Sequence, residues 1–409
     1  MMTMTLDLDF VRQQFPAFSE PSLKGQAFFE NAGGSYMCQQ VIDRFNTIFH
    51  ERKLQPYYAF KASTDLGKEM DQAHQRMARY LNVPTDEVMF GPSTSQNTYV
   101  LAQALLARMS PGDGIIVSGQ EHEANAGVWR RLEAHGMKVL VWEADPTTGR
   151  LDLNRLADLL GPRITMVAMT HCSNLVAEIN PVRTVADMVH DANAILLVDG
   201  VSYCPHGLPD IDALGADIYL FSSYKTYGPH QGVMVVRQSA RDRLEAQSHY
   251  FNHDIPSKWM VPAGPDHVQI AASNGMLDYF DALDHHHGGH DDAMRPRRVE
   301  SLFHQAEHDN LRVLLDYLGN RNDVRLLGPD DPECRAPTVS FTSSRLSTAD
   351  IGQKLAERHI MAGVGDFYAV RLLETMGISP KDGAVRLSFV HYTSPDEINQ
   401  VIAALDDIL

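Results

Sequence analysis

The chain has 409 residues, is 44% hydrophobic and carries a formal net charge of −17. That length suits two domains of ordinary size, and the acid excess excludes a binder of phosphate backbones, which needs a basic face. Cys38, Cys172, Cys204 and Cys334 stand far apart with no C-x-x-C pair, which is neither a disulfide framework nor a zinc knuckle and fits a reducing cytoplasm.

The N-terminal MMTMTLDLDFVRQQFP has neither the basic region nor the apolar core of a signal peptide. No apolar run reaches the roughly 18 residues of a membrane span. Leu8 to Phe15 reads as a short helix within an N-terminal segment, 1–25, that is expected to pack on the smaller domain. From 26 to 280 the chain alternates short apolar runs with longer periodic ones. The apolar runs are Glu87–Phe90, Gly114–Ser118, Lys138–Trp142, Ile164–Thr170, Ala194–Asp199, Ile218–Ser222 and Val233–Arg237. The periodic ones include Thr98–Met109, Ala126–His135, Asn154–Leu160 and Val182–His190. Such alternation predicts an α/β fold whose mostly parallel sheet is covered by helices on both faces. The polar DHHHGGHDDAMRPRR, Asp284–Arg298, reads as a loop or break. Within 281–409 follow a helix from Val299 to Leu318, a strand near Thr338–Phe341, a helix at Ala349–His359, a strand at Ala384–Phe389 and a helix at Pro395–Ile408, which make a small α/β domain.

Three strand exits carry chemistry. Ile195 to Asp199 ends in an acid where open α/β sheets place ligands. Ile218 to Phe221 runs out into Ser222-Ser223-Tyr224-Lys225-Thr226-Tyr227-Gly228. Val88 to Phe90 leads into Gly91-Pro92-Ser93-Thr94-Ser95, which opens a helix whose free N–H groups suit an anion. Taken singly, each has a plainer role: a loop cap, a solvated lysine, a Ser/Thr helix cap. Taken together they describe a pyridoxal-phosphate (PLP) site. A lysine amine forms a Schiff base with PLP and then shuttles protons at the substrate carbon. A carboxylate holds the pyridine nitrogen protonated, so that the ring accepts electrons. Hydroxyls of Thr94, Ser95 and Ser222 suit the phosphate. His122, in Glu121-His122-Glu123-Ala124-Asn125, is placed to stack on the ring. No G-x-G-x-x-G follows a strand, which disfavours a dinucleotide enzyme.

With these pieces in order, the chain resembles the class V aminotransferases, in the branch of cysteine desulfurases and selenocysteine lyases. The resemblance runs through Phe28-Phe29-Glu30-Asn31-Ala32-Gly33-Gly34, the Ser-Thr-Ser turn, EHEAN, Thr170-His171-Cys172-Ser173-Asn174, the VDG strand, SSYKTYGP and Val385-Arg386-Leu387-Ser388. It implies a fold-type I PLP enzyme: a large PLP-binding domain with a mostly parallel seven-stranded sheet, a small C-terminal α/β domain, and a homodimer with shared sites. Lys225 and His122 are then the catalytic candidates. Thr94, Ser95, Asp199, Ser202, Ser222 and Tyr224 join them in holding the cofactor. Asn31, Asn174, Arg386 and Tyr368 face an amino-acid substrate, Arg386 because its fork matches a carboxylate.

The departures bear on the reaction. Tyr368, in Gly365-Asp366-Phe367-Tyr368-Ala369, stands where desulfurases carry a persulfide cysteine. Tyr224 replaces a common histidine, Ser202 a common glutamine, and Pro265 the hydroxyl lent to the partner's phosphate. Transamination or related α-carbanion chemistry is therefore expected, with a cysteine-type β-lyase, an epimerase and a non-catalytic PLP-binding protein left open. No metal is expected. His285, His286, His287 and His290 with Asp291 read as a solvated loop, and Arg52 and Lys61 as surface charges.

Overall fold

The computed structural model describes residues 5–409. Among them twelve strands form two sheets: β1 (Ala27–Phe29), β2 (Val88–Gly91), β3 (Gly114–Ser118), β4 (Lys138–Trp142), β5 (Ile164–Thr170), β6 (Ile195–Asp199), β7 (Ile218–Ser222), β8 (Gly232–Val236), β9 (Val324–Leu327), β10 (Thr338–Ser343), β11 (Ile360–Gly365) and β12 (Ala384–Ser388). The large sheet has seven strands in the order β2-β8-β7-β6-β5-β3-β4. Only β8 runs against the rest, pairing antiparallel with both β2 and β7. This is the mostly parallel sheet that the unalternating apolar runs predict.

Both faces of the large sheet are buried, as parallel sheets require. Leu196, Val198 and Phe221 pack into one core, while Ile195, Leu197 and Leu220 pack into a second on the other face. The two-residue period of a strand sorts them. The small sheet has the order β1-β11-β12-β10-β9. It is backed by helices Arg295–Gly319, Thr348–Glu357 and Pro395–Ile408, the last opened by a capping box of Ser394 and Glu397.

Four expectations are corrected. Residues 27–29 were expected in the large domain, yet β1 pairs with β11 and joins the small sheet; Ala27 and Phe29 bury there beside Leu314 and Val385. The N-terminal segment bridges the two units rather than resting on the small one. Phe15 packs between Tyr227 and Tyr279 on one side and His391 and Tyr392 on the other. The histidine-rich stretch is not one loop, since helix Asn274–His286 runs into it and helix Arg295–Gly319 starts inside it. Buried Asp284 accepts two bonds from Arg298, at 2.6 and 2.7 Å, which ties these helices together. His286 stacks on Phe10 and bonds Asp7. Finally, Arg52 is not a free surface charge. It pairs with Glu69 and joins the end of helix Gln39–Glu51 to helix Lys61–Leu81, an amphipathic helix that buries Leu66, Met70, Ala73 and Met77. No group of three or more metal-ligating side chains converges among the described residues.

Candidate active site

The carboxyl ends of β5, β6 and β7 open into a cavity of about 290 Å³. Thr94, Ser95, His122, Asn174 and Asp199 line it, as do Ser202, Ser222, Tyr224 and Lys225. Residues from five separate stretches of chain thus meet where an open parallel sheet places its ligand. A wider hollow of about 930 Å³ lies beside it, bounded by Glu30, Glu123, Asp366, Tyr368 and Arg371. The smaller cavity holds the lysine and the hydroxyls, and so the chemistry.

One end of the cavity is built for an anion. Ser93 is extended and caps helix Thr94–Leu106 by accepting from the Gln96 N–H at 3.2 Å, which leaves the first-turn N–H groups of Thr94 and Ser95 facing the opening. Thr94 Oγ1 and Ser222 Oγ lie 2.8 Å apart, both buried. The helix start lies directly against β8. A Cβ on Gly232 would stand 2.4 Å from the Ser93 carbonyl carbon and 2.6 Å from the Thr94 nitrogen, so glycine is what lets the strand approach.

At the other end, Asp199 sits at the tip of β6, buried, and accepts from the Val201 N–H at 2.9 Å. Burial pushes its carboxyl up to about 6. Lys225 is 9% exposed. Burial, then the nearby Arg386 charge, brings its amine down to about 8, against the pull of Asp199. The lysine turn is clamped at several points. Ser35 Oγ donates to the Lys225 carbonyl at 2.6 Å, and Ser223 Oγ donates to the Pro229 carbonyl at 2.8 Å. Tyr227, in the left-handed region at φ 66°, is locked by its hydroxyl to the Pro205 carbonyl. Such clamping holds the amine in one position before any ligand arrives.

Burial, with Lys225 and Arg386, brings His122 down to about 4, so its ring is neutral. Its Nδ1 accepts from the Ala124 N–H at 3.1 Å, which fixes the plane of the ring. Behind it Glu121 is buried between Ser118 Oγ at 2.5 Å and Asn125 Nδ2 at 2.7 Å. Burial and the neighbouring Asp199 push its carboxyl up to about 8.

Arg386, on β12 of the small sheet, is 3% exposed and does not itself line the cavity, but stands behind the lining residue Asn174. Its guanidinium stacks 3.9 Å over the Phe367 ring. Nη1 donates to the Asn174 carbonyl at 3.1 Å, and Nη2 donates to Glu30 Oε1 at 2.7 Å. Asn174 donates to the Phe367 carbonyl at 2.8 Å, and its Oδ1 has no hydrogen-bond partner among the described residues.

Asn31 is not brought to the cavity. Its Nδ2 bonds the Ser388 carbonyl at 3.1 Å and its Oδ1 accepts from Tyr392, so both ends of the amide are used in joining β1 to β12. Tyr368 stands at the rim, 68% exposed, its ring centre 5.1 Å from that of His122. It and Phe367 both lie in the left-handed region, at φ 57° and 52°, a costly conformation for bulky side chains. No cysteine lines the cavity, and burial pushes the Cys172 thiol up to about 12.

Sequence reasoning missed Glu30, Phe367 and the Tyr224 partner His230, whose ring stacks 4.7 Å away. Glu30 reaches Arg386 across 356 positions of chain and Phe367 from the loop that follows β11, and no local spacing marks either pairing. Glu121 stands beside His122 in the quoted motif, three residues past the end of β3, and that strand-end position was the available signal.

The pieces fit PLP. A buried lysine with a lowered amine, a carboxylate across the cavity and hydroxyls at a helix start are the donor set that cofactor needs. The family profile described as Aminotransferase class-V matches residues 27–287 and 298–401. The chain is 33% identical to the Aminotransferase-like protein FGM3 of Gibberella zeae, over the whole of both chains. It is 27% identical to the Cysteine desulfurase-like protein ustD of Aspergillus flavus, over 99% of this chain and 91% of that one. A cysteine desulfurase structure from Thermococcus onnurineus shares the fold, with a TM-score of 0.86 at 21% identity over 100% and 99% of the two chains. No helix among the described residues is long and apolar enough to cross a membrane. Residues and relatives agree that this chain belongs to the class V aminotransferase family of PLP-dependent enzymes.

Proposed function

We propose that the protein processes a free amino acid by transamination or related chemistry at the α-carbon, with no persulfide relay. The observation that carries this reading is the cavity itself, which Lys225 lines and no cysteine does. At the loop where a relay cysteine would stand, Tyr368 offers a phenol, which does not take sulfur as a thiolate does.

Each residue has a role in this reading. Thr94 and Ser95, with the first turn of their helix, and Ser222 at the end of β7 would hold the cofactor phosphate, and Asp199 would pair with the pyridine nitrogen. Neutral His122 stacks on the ring face, with Tyr224 and Ser202 closing the sides. When bound, PLP supplies the electron sink for the pair left by a bond broken at the substrate carbon. Lys225 Nζ would hold the cofactor and move the proton at the substrate carbon, and an amine near 8 suits that task at neutral pH. Arg386 and Asn174 hold the substrate carboxylate. The homodimer and a reducing cytoplasm belong to the same proposal, supported by exposed Tyr57, Tyr58, Tyr250 and Phe251 and by four unpaired cysteines.

The test is spectroscopic. Purified protein is expected to show a band near the visible edge that borohydride bleaches, and Lys225→Ala to lose it while keeping its fold. Release of a keto acid without ammonia, with loss of the band as the amino nitrogen stays on the cofactor, then marks transamination. Alanine released from cysteine, with its sulfur recovered as sulfide only once a thiol reductant is added to the purified protein, would refute the thiol-free reading.

A further inference from the structure

We propose that Glu30 is an internal carboxylate for Arg386, so that the one site accepts amines both with and without an α-carboxylate. This rests on reading Arg386 as the substrate-carboxylate residue of a PLP site.

The argument begins with burial. A guanidinium 3% exposed must be paired in every state the site occupies, because a bare cation there is costly. In this structure Glu30 supplies the charge, Oε1 accepting from Nη2 at 2.7 Å. Nη1 is held without Glu30, by the Asn174 carbonyl, and the Phe367 face covers the guanidinium plane, while Nε has no hydrogen-bond partner among the described residues. Arg386 therefore stays in place if its carboxylate partner is exchanged.

Glu30 is held far less firmly. Its Oε2 has no hydrogen-bond partner among the described residues. Its side chain is 32% exposed and borders the wide hollow beside Tyr368, which gives it somewhere to go. Glycines on two sides leave the room it occupies: a Cβ on Gly33 or on Gly363 would stand 2.4 Å from a Glu30 carboxylate oxygen. An incoming carboxylate thus replaces Glu30 charge for charge. A substrate lacking one leaves Glu30 in place, and Arg386 is never bare. A ligand shifts such an exchange only by its own preference for the opened state.

The experiment uses cofactor-loaded protein and three probes. Propionate has a carboxylate and no amine, so calorimetry with it reads Arg386 alone. Alanine and ethylamine differ only by the carboxylate, and each is followed through the visible band. Glu30→Gln removes the competing charge, and is expected to tighten propionate about tenfold and weaken ethylamine about tenfold, the scale of one charge-assisted hydrogen bond. Glu30→Ala gives the same directions should the Gln variant not fold. Unchanged propionate affinity in the variant, or a wild-type band that alanine moves and ethylamine does not, overturns the role of Glu30. A wild-type band absent or unbleached by borohydride overturns the underlying cofactor assignment instead.

Discussion

Replacing Asp199 by Asn separates the cost of the buried carboxylate from its use. Burial raises that carboxyl from 3.8 to about 6. At about 1.4 kcal/mol for each tenfold change in the proton equilibrium, the anion costs the cofactor-free fold about 3 kcal/mol. The sign follows from linkage. A raised folded-state value means that stability is complete below the ordinary carboxyl range, where Asp199 is protonated in both states. Stability is then lost as pH climbs through about 6. Asn keeps an oxygen for the Val201 N–H and carries no charge. Cofactor-free Asp199→Asn is therefore expected to be more stable than wild type by up to about 3 kcal/mol at pH 8, and nearly equal to it at pH 4. On the proposed role of Asp199, loading is expected to reverse the order of benefit, because the anion would then face a protonated ring nitrogen and wild type would gain more from PLP. The assay is urea unfolding at both pH values, with and without PLP. A variant less stable than wild type at pH 8 without cofactor would show that Asp199 is held by partners the fold prizes, and the reasoning would fail.

Two further outcomes follow from the same geometry. Only a neutral amine captures an aldehyde, and burial brings Lys225 down to about 8; the rate of PLP uptake by cofactor-free protein should thus rise through about pH 8, and a midpoint near the free-lysine value of about 10.4 would contradict the burial. Ser222→Ala removes half of the hydroxyl pair with Thr94, and should raise the PLP dissociation constant about tenfold in an absorbance titration while leaving unfolding at pH 8 unchanged.

The centre of the site was legible because it is built locally. β6 ends on Asp199 and β7 on Ser222, each where an apolar run stops. The helix that follows β2 opens with hydroxyls, and strand-end position alone predicts that these face a ligand. The Arg386 side of the site was not legible in the same way. Glu30 and Arg386 are 356 positions apart, and their pairing depends on β1 and β12 lying near each other through β11. Asn31 shows the same limit in reverse. Its motif suggested the substrate side, but Tyr392 and the Ser388 carbonyl turn its amide into the small sheet.

By itself the sequence determined the α/β class, the seven strands of the large sheet, the strand-end places of Asp199 and Ser222 beside Lys225, and a tyrosine rather than a cysteine at position 368. These are set by period, by strand ends and by residue type, all of which act within a few residues. Only the tertiary structure decided that β1 leaves the large domain, that Phe367 lies under Arg386, and that Glu30 masks its charge. Those contacts form when strands distant in the chain close into one sheet. Closing them costs loop entropy that no local pattern records, and burial then selects which buried charge finds which partner.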